Sequence, residues 1–194
     1  SLSDEGVTSV YEDWQQRVDK SERLHFYLSV LSSHIAKIES RLNCTLEDVP
    51  IIVSGMASST VGMIELPYKH LPFLATGEDL SFETILSTEL FRHTIILISG
   101  VRTERDVMRG EETQLAGCVQ ELNVQKGVFV FPGTHSKHVT VENGYATSFK
   151  TYMTGEFFHL LSLDSILSKS VLAGGSLESS ENKSAFQEGV IDSK

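Results

Sequence analysis

Cysteine, proline and tryptophan are scarce in this chain, with 2, 4 and 1 copies among 194 residues. So few cysteines exclude a disulfide-dense scaffold. Cys44 and Cys118 lie in apolar periodic segments without CxxC or Cys/His metal spacing, which predicts two buried, reduced thiols of a cytoplasmic protein. Basic charge is also in deficit. The 16 Lys and Arg face 26 Asp and Glu, a formal net charge of −10. A nucleic-acid binder needs a basic face to displace phosphate counterions, so no nucleic-acid partner is expected. A few local donors can still hold a phosphate on an acidic protein. No apolar run approaches the ~20 residues that span a bilayer, and no signal-peptide pattern opens the chain, so no membrane partner is expected either. Internal repeats and low-complexity tracts are missing.

What remains is an ordinary globular composition, 40% hydrophobic and 22% charged. From Ser21 to Leu42, apolar residues at Leu24, Leu28, Leu31, Ile35, Ile38 and Leu42 mark one stripe of an amphipathic helix. Ile51-Ile52-Val53 and Thr94 to Ile98 read as short buried strands. Each runs into Ser-Gly, a common way for a strand to end at a ligand crevice. Leu80 to Phe91 reads as a second helix, and Gly110 to about Leu122 as a third with acidic residues at its positive end. Then the pattern changes. Gly127 to Phe131, Lys137 to Val141 and Tyr145 to Lys150 read as strands, the last two joined by an Asn143-Gly144 hairpin turn. A helix is expected from Thr154 to Val171, a polar loop from Ser176 to Ser184, and another helix from Ala185. The chain therefore divides near Gly127, into a mixed α/β layer over 1–126 and a hairpin-led unit over 127–194.

Four segments could carry chemistry. Between two strands, Pro132-Gly133-Thr134-His135-Ser136-Lys137 offers backbone amides, hydroxyls and cationic groups for an anion. The GxxxxGK[ST] spacing is absent, so it is no Walker loop, and a plain polar turn is the alternative. Asp106 to Gln114 crowds charge at a helix start. Glu111 and Glu112 either complement the helix dipole or stand ready as a base, and Arg109 either solvates the turn or holds an anionic group. Ser54-Gly55-Met56, followed by Glu65 and Tyr68, makes either a turn or a pocket for a polyhydroxylated ligand. Thr154 and Glu156 open a helix, as a cap or as an anion site.

Taken together, these segments resemble the 2-dehydro-3-deoxygalactonokinase family. The matching residues are Ser54, Gly55, Met56, Gly62, Glu65, Pro67 and Tyr68; the whole of Asp106 to Gln114; Pro132 to Lys137; and Met153 to Glu156 with Ser165 to Leu167. Order and spacing agree over most of the chain. His138 and Met63 depart from the aromatic residues the family shows there, and the family's opening Asp-Trp-Gly-Thr-Thr strand has no counterpart, so a fragment is expected.

The resemblance implies a two-lobed sugar kinase/actin-like (ribonuclease H-like) α/β fold, incomplete in this chain. It implies ATP-dependent phosphorylation of a 2-keto-3-deoxy sugar acid, with ATP and Mg²⁺ as cofactors. By analogy with related carbohydrate kinases, Glu111 becomes the base with Glu112 behind it. Gly133, Thr134, His135, Ser136 and Lys137 become a phosphate loop. Ser54, Gly55, Met56, Glu65, Tyr68, Arg109, Thr154 and Glu156 fall to the substrate. The alternative is a truncated relative that binds a sugar acid without catalysis. A homodimer is left open.

Overall fold

The computed structural model describes residues 5–17, 22–170 and 179–193. Two compact units divide between Tyr152 and Met153.

The first unit opens with helices α1 (Val7–Gln15) and α2 (Arg23–Leu42). Helix α2 follows the expected stripe. Leu28 is buried, and Leu24, Leu31 and Ile35 pack on the core beneath it, while Leu42 at the end of the stripe stays exposed. Asn43 ends the helix in the left-handed conformation at φ 52, its amide donating to the Glu39 carbonyl. The Tyr27 hydroxyl reaches the carbonyls of Val7 and Val61 at 3.0 and 2.6 Å, which ties both helices to the following loop.

Strands β1 (Ile51–Val53), β2 (Lys69–His70), β3 (Phe73–Leu74), β4 (Phe82–Ile85), β5 (Ile95–Ile98), β6 (Val101–Arg102) and β7 (Val107–Met108) follow. β1 and β5 pair in parallel, with Ile51 opposite Ile95, and β4 pairs antiparallel to β5. The helix expected from Leu80 to Phe91 is therefore not formed. Phe82, Thr84 and Ile85 are strand-favouring residues, and pairing with β5 overrides the helical spacing. A parallel pair β2–β6 and an antiparallel pair β6–β7 form a second small sheet.

Helix α3 (Glu111–Leu122) precedes strands β8 (Gly127–Phe131), β9 (Ser136–Glu142) and β10 (Tyr145–Tyr152). The Asn143-Gly144 turn has φ of 52 and 78, as the hairpin requires. The third sheet runs β3-β10-β9-β8. Because β10 bonds to β3, with Ala146 opposite Phe73, the lobe boundary expected near Gly127 falls inside the first unit. Phe73, Met108, Leu115, Val119, Val139, Val141 and Phe149 build one core between α3 and this sheet. Truncating Leu115, fully buried there, should cost ~2–5 kcal/mol. A second core joins α1 and α2 to β1 and β5, and Met63 belongs to it at 3% exposure.

The second unit holds α4 (Thr154–Leu163), a 3₁₀ turn Ile166–Lys169, and α5 (Ser180–Asp192). The long helix expected to Val171 stops at Leu163. The Ser165 hydroxyl then accepts the Leu167 amide at 3.0 Å and starts the tighter turn. Val171 lies outside the described residues. Met153, not Thr154, is the cap residue of α4. The expected loop from Ser176 begins outside the described residues. From Ser180 it is already helix, because the Ser179 hydroxyl caps the Asn182 amide.

Both cysteines are free. Cys44 is exposed just past the end of α2 and Cys118 is half-buried on α3, so neither is the buried thiol expected. Among the described residues no helix is long and apolar enough to cross a membrane.

Candidate active site

The first wall of the candidate site is built on glycine. Gly55, after β1, and Gly110, before α3, take φ of 94 and 107, a region that side-chain-bearing residues rarely enter. Their backbones touch: a Cβ on Gly110 would lie 3.5 Å from the Gly55 Cα. The Ser-Gly-Met segment and the Met-Arg-Gly-Glu segment, 55 residues apart, are thus packed back to back. Gly100 provides the second close approach. A Cβ there would fall 2.4 Å from the Met108 carbonyl oxygen and 2.7 Å from the Arg109 Cγ. Beside it, the buried Ser99 hydroxyl donates to the Pro67 carbonyl at 2.7 Å, holding the segment that leads through Tyr68 into β2. The sequence marked Ser99-Gly100 as a strand end of the kind found at ligand crevices, but neither residue was among the candidate site residues.

Two glutamates begin α3 and take different places. The Glu111 carboxylate accepts the Arg109 amide at 2.9 Å and faces a cleft of about 350 Å³. Both Glu112 oxygens accept the Gly110 amide at 2.8 Å. Glu112 is fully buried and does not line the cleft. Burial pushes its carboxyl up from 4.5 to about 7, with the neighbouring Glu111 charge adding to the rise and amide donation from Gly110 opposing it.

The facing wall is the β8–β9 turn. Phe131, Pro132, Gly133, Thr134, His135 and Lys137 line the same cleft as Met56, Arg109, Gly110, Glu111 and Gln114. The Ser136 hydroxyl closes the turn on itself, accepting the Gly133 amide and donating to the Gly133 carbonyl at 3.3 Å each. It braces the loop and does not line the cleft. Lys137 is only 7% exposed and makes no ion pair among the described residues. A nearly buried ammonium that faces a cleft without a carboxylate partner is suited to an anion.

Three other candidates of the first unit fall outside the lining. Ser54 and Glu65 are exposed and do not face the cleft. Tyr68 reaches it through Arg109. Thr154 and Glu156 lie in the first turn of α4, in the second unit. Among the described residues no three His, Cys, Asp or Glu side chains converge as a metal cluster.

This mixed α/β fold is of the sugar-kinase kind. It is similar to a crystal structure from Sinorhizobium meliloti provisionally assigned as a 2-dehydro-3-deoxygalactonokinase, with a TM-score of 0.64 and 30% identity over 78% of this chain and 49% of that one. A Rhizobium meliloti (strain 1021) protein provisionally named 2-dehydro-3-deoxygalactonokinase DgoK1 is 33% identical over 146 residues, which are 74% of this chain and 45% of that protein. The 2-dehydro-3-deoxygalactonokinase of Escherichia coli (strain K12) is 33% identical over 150 residues, again 74% of this chain and 46% of that one. Residues 3–194 match the 2-keto-3-deoxy-galactonokinase family model, and the chain belongs to that family. It spans just under half the length of these relatives.

Proposed function

We propose that the chain serves an ATP-dependent kinase of the cytoplasm, which phosphorylates a hydroxyl of 2-dehydro-3-deoxygalactonate or a close relative. The observation that carries this reading is the cleft itself. It sets a carboxylate, Glu111, and a guanidinium, Arg109, across from a loop ending in the buried ammonium of Lys137. Phosphoryl transfer needs little covalent work from the protein, so positioning and charge should dominate.

Each side chain has a role in this reading. Glu111 accepts the proton of the substrate hydroxyl as it attacks phosphorus. Lys137, with the Thr134 hydroxyl, meets the phosphate charge. Ser136 holds that loop in shape. Arg109 binds the substrate carboxylate, held by Tyr68. Gly55 and Met56 form the floor beneath it. The volume suits a small polar ligand, at the lower end of the range for ligand pockets. Among the described residues no three His, Cys, Asp or Glu side chains gather as a metal cluster, and Mg²⁺ belongs to this reading as the ion that accompanies ATP.

The test is ADP release by the full-length protein across a panel of 2-keto-3-deoxy sugar acids. Release that requires one of these acids is expected. Release without any acid would point to an ATPase. Sugar-acid binding without release would point to a non-catalytic relative.

A further inference from the structure

Asp106 stands three residues before Arg109 and five before Glu111, yet one of its strongest attachments is to the opposite wall. Its own turn is closed locally, with the Asp106 amide donating to the Thr103 hydroxyl at 2.9 Å and the Thr103 amide donating to the Asp106 carbonyl at 2.8 Å. One carboxylate oxygen accepts the Val107 amide at 2.8 Å. The other accepts the Thr151 amide at 3.0 Å, and the Thr151 hydroxyl lies 2.8 and 2.7 Å from the two oxygens. A turn-forming aspartate needs only its local bonds. Those to a residue 45 positions away call for another explanation.

The strand register supplies it. Thr151 on β10 pairs with Lys137 on β9, and Lys137 pairs with Phe131 on β8. These three residues form the last row to span β8, β9 and β10, at the end of the candidate phosphate loop. Two rows further along, and so on the same face, Phe129, Val139 and Phe149 pack into the core, so Lys137 continues an inward-facing column and lines the cleft. Its ammonium makes no ion pair of its own among the described residues. Its strand, and whatever holds the end of that strand, therefore fixes its position.

We propose that Asp106 is a positioning residue: by clamping Thr151 it holds Lys137 at a set distance from the Arg109–Glu111 segment and so sets the span of the cleft. Its catalytic consequence rests on the kinase reading, but the clamp itself does not.

The test measures the amine-labelling rate of Lys137 in the folded full-length protein by peptide mass spectrometry, as a ratio to exposed Lys126. Bonds to a charged group are worth enough that Thr151→Val should raise this ratio about tenfold. Asp106→Asn, which keeps size and an acceptor, should raise it less. Thr151→Ser, which keeps the hydroxyl, should restore the wild-type ratio. An unchanged ratio in Thr151→Val, a parallel rise of both lysines, or a Ser variant that behaves like Val would each overturn the proposal. No nucleotide or sugar acid is needed, so a protein that fails to release ADP leaves this result standing on its own.

Discussion

The Arg109 guanidinium donates to the Tyr68 hydroxyl at 2.7 Å, and its carbon lies 5.9 Å from the centre of the Tyr68 ring. The pair joins two motifs 41 residues apart in sequence and turns a flexible cation into an oriented one. Removing the hydroxyl keeps the ring but loses one bond of ~1 kcal/mol. Tyr68→Phe should therefore raise KM for the sugar acid several-fold with a smaller change in kcat. Arg109→Lys should cost more, because a point charge cannot replace a planar fork. Steady-state kinetics of both variants check this, and an unchanged KM in Arg109→Lys would remove Arg109 from the substrate.

Gly100 underlies that pair. A methyl group there meets the Met108 carbonyl, the Arg109 side chain and the Tyr68 ring at 3.0 Å or less. Overpacking of this kind costs ~1–3 kcal/mol. Gly100→Ala should lower the melting temperature by several degrees and also raise the sugar-acid KM. A variant as stable as wild type would show that the close approach is not needed.

Glu112 gives a pH dependence with a definite sign. The folded protein holds its proton more tightly than the unfolded chain, since burial raises the carboxyl from 4.5 to about 7. That contribution is fully present below about 4.5 and is lost as pH rises through about 7. The loss is on the order of 3 kcal/mol. Denaturant unfolding of wild type against Glu112→Gln, from pH 4 to pH 8, should show wild type losing stability relative to the variant over that window. A constant difference between the two would refute the buried ionisation.

Much of this site was legible in the sequence because its signals are local. The α2 stripe, the Asn143-Gly144 turn and the acidic start of α3 each depend on residues within a turn or two. The charged segment from Asp106 and the turn from Pro132 were visible as candidates for the same reason. What escaped was set by pairing across distance. Leu80 to Phe91 carries helical spacing, but Phe82–Ile85 found a partner in β5. The contact of Gly55 with Gly110 and the clamp of Asp106 on Thr151 join segments 55 and 45 residues apart. Nothing in either segment announces its partner. The resemblance ranked Glu111 ahead of Glu112, but only the turn of α3 buries Glu112 and leaves Glu111 on the cleft.

Lys137 tests the facing wall. Its ammonium is nearly buried and has no carboxylate partner among the described residues, so Lys137→Met should fill the same space without the charge. The folded protein should be as stable as wild type or more so, while KM for ATP rises at least tenfold. If ATP kinetics were unaffected, the turn from Pro132 would be a polar hairpin and no phosphate loop.

The most direct test of the central claim is kcat of Glu111→Gln in the full-length protein, measured by ADP release at saturating ATP and sugar acid. Glu111 lines the cleft as the carboxylate nearest in sequence to Arg109, and its replacement keeps shape while removing the base. The account predicts a fall in kcat of ~10²–10⁴-fold with little change in melting temperature. A kcat within a few-fold of wild type would contradict it.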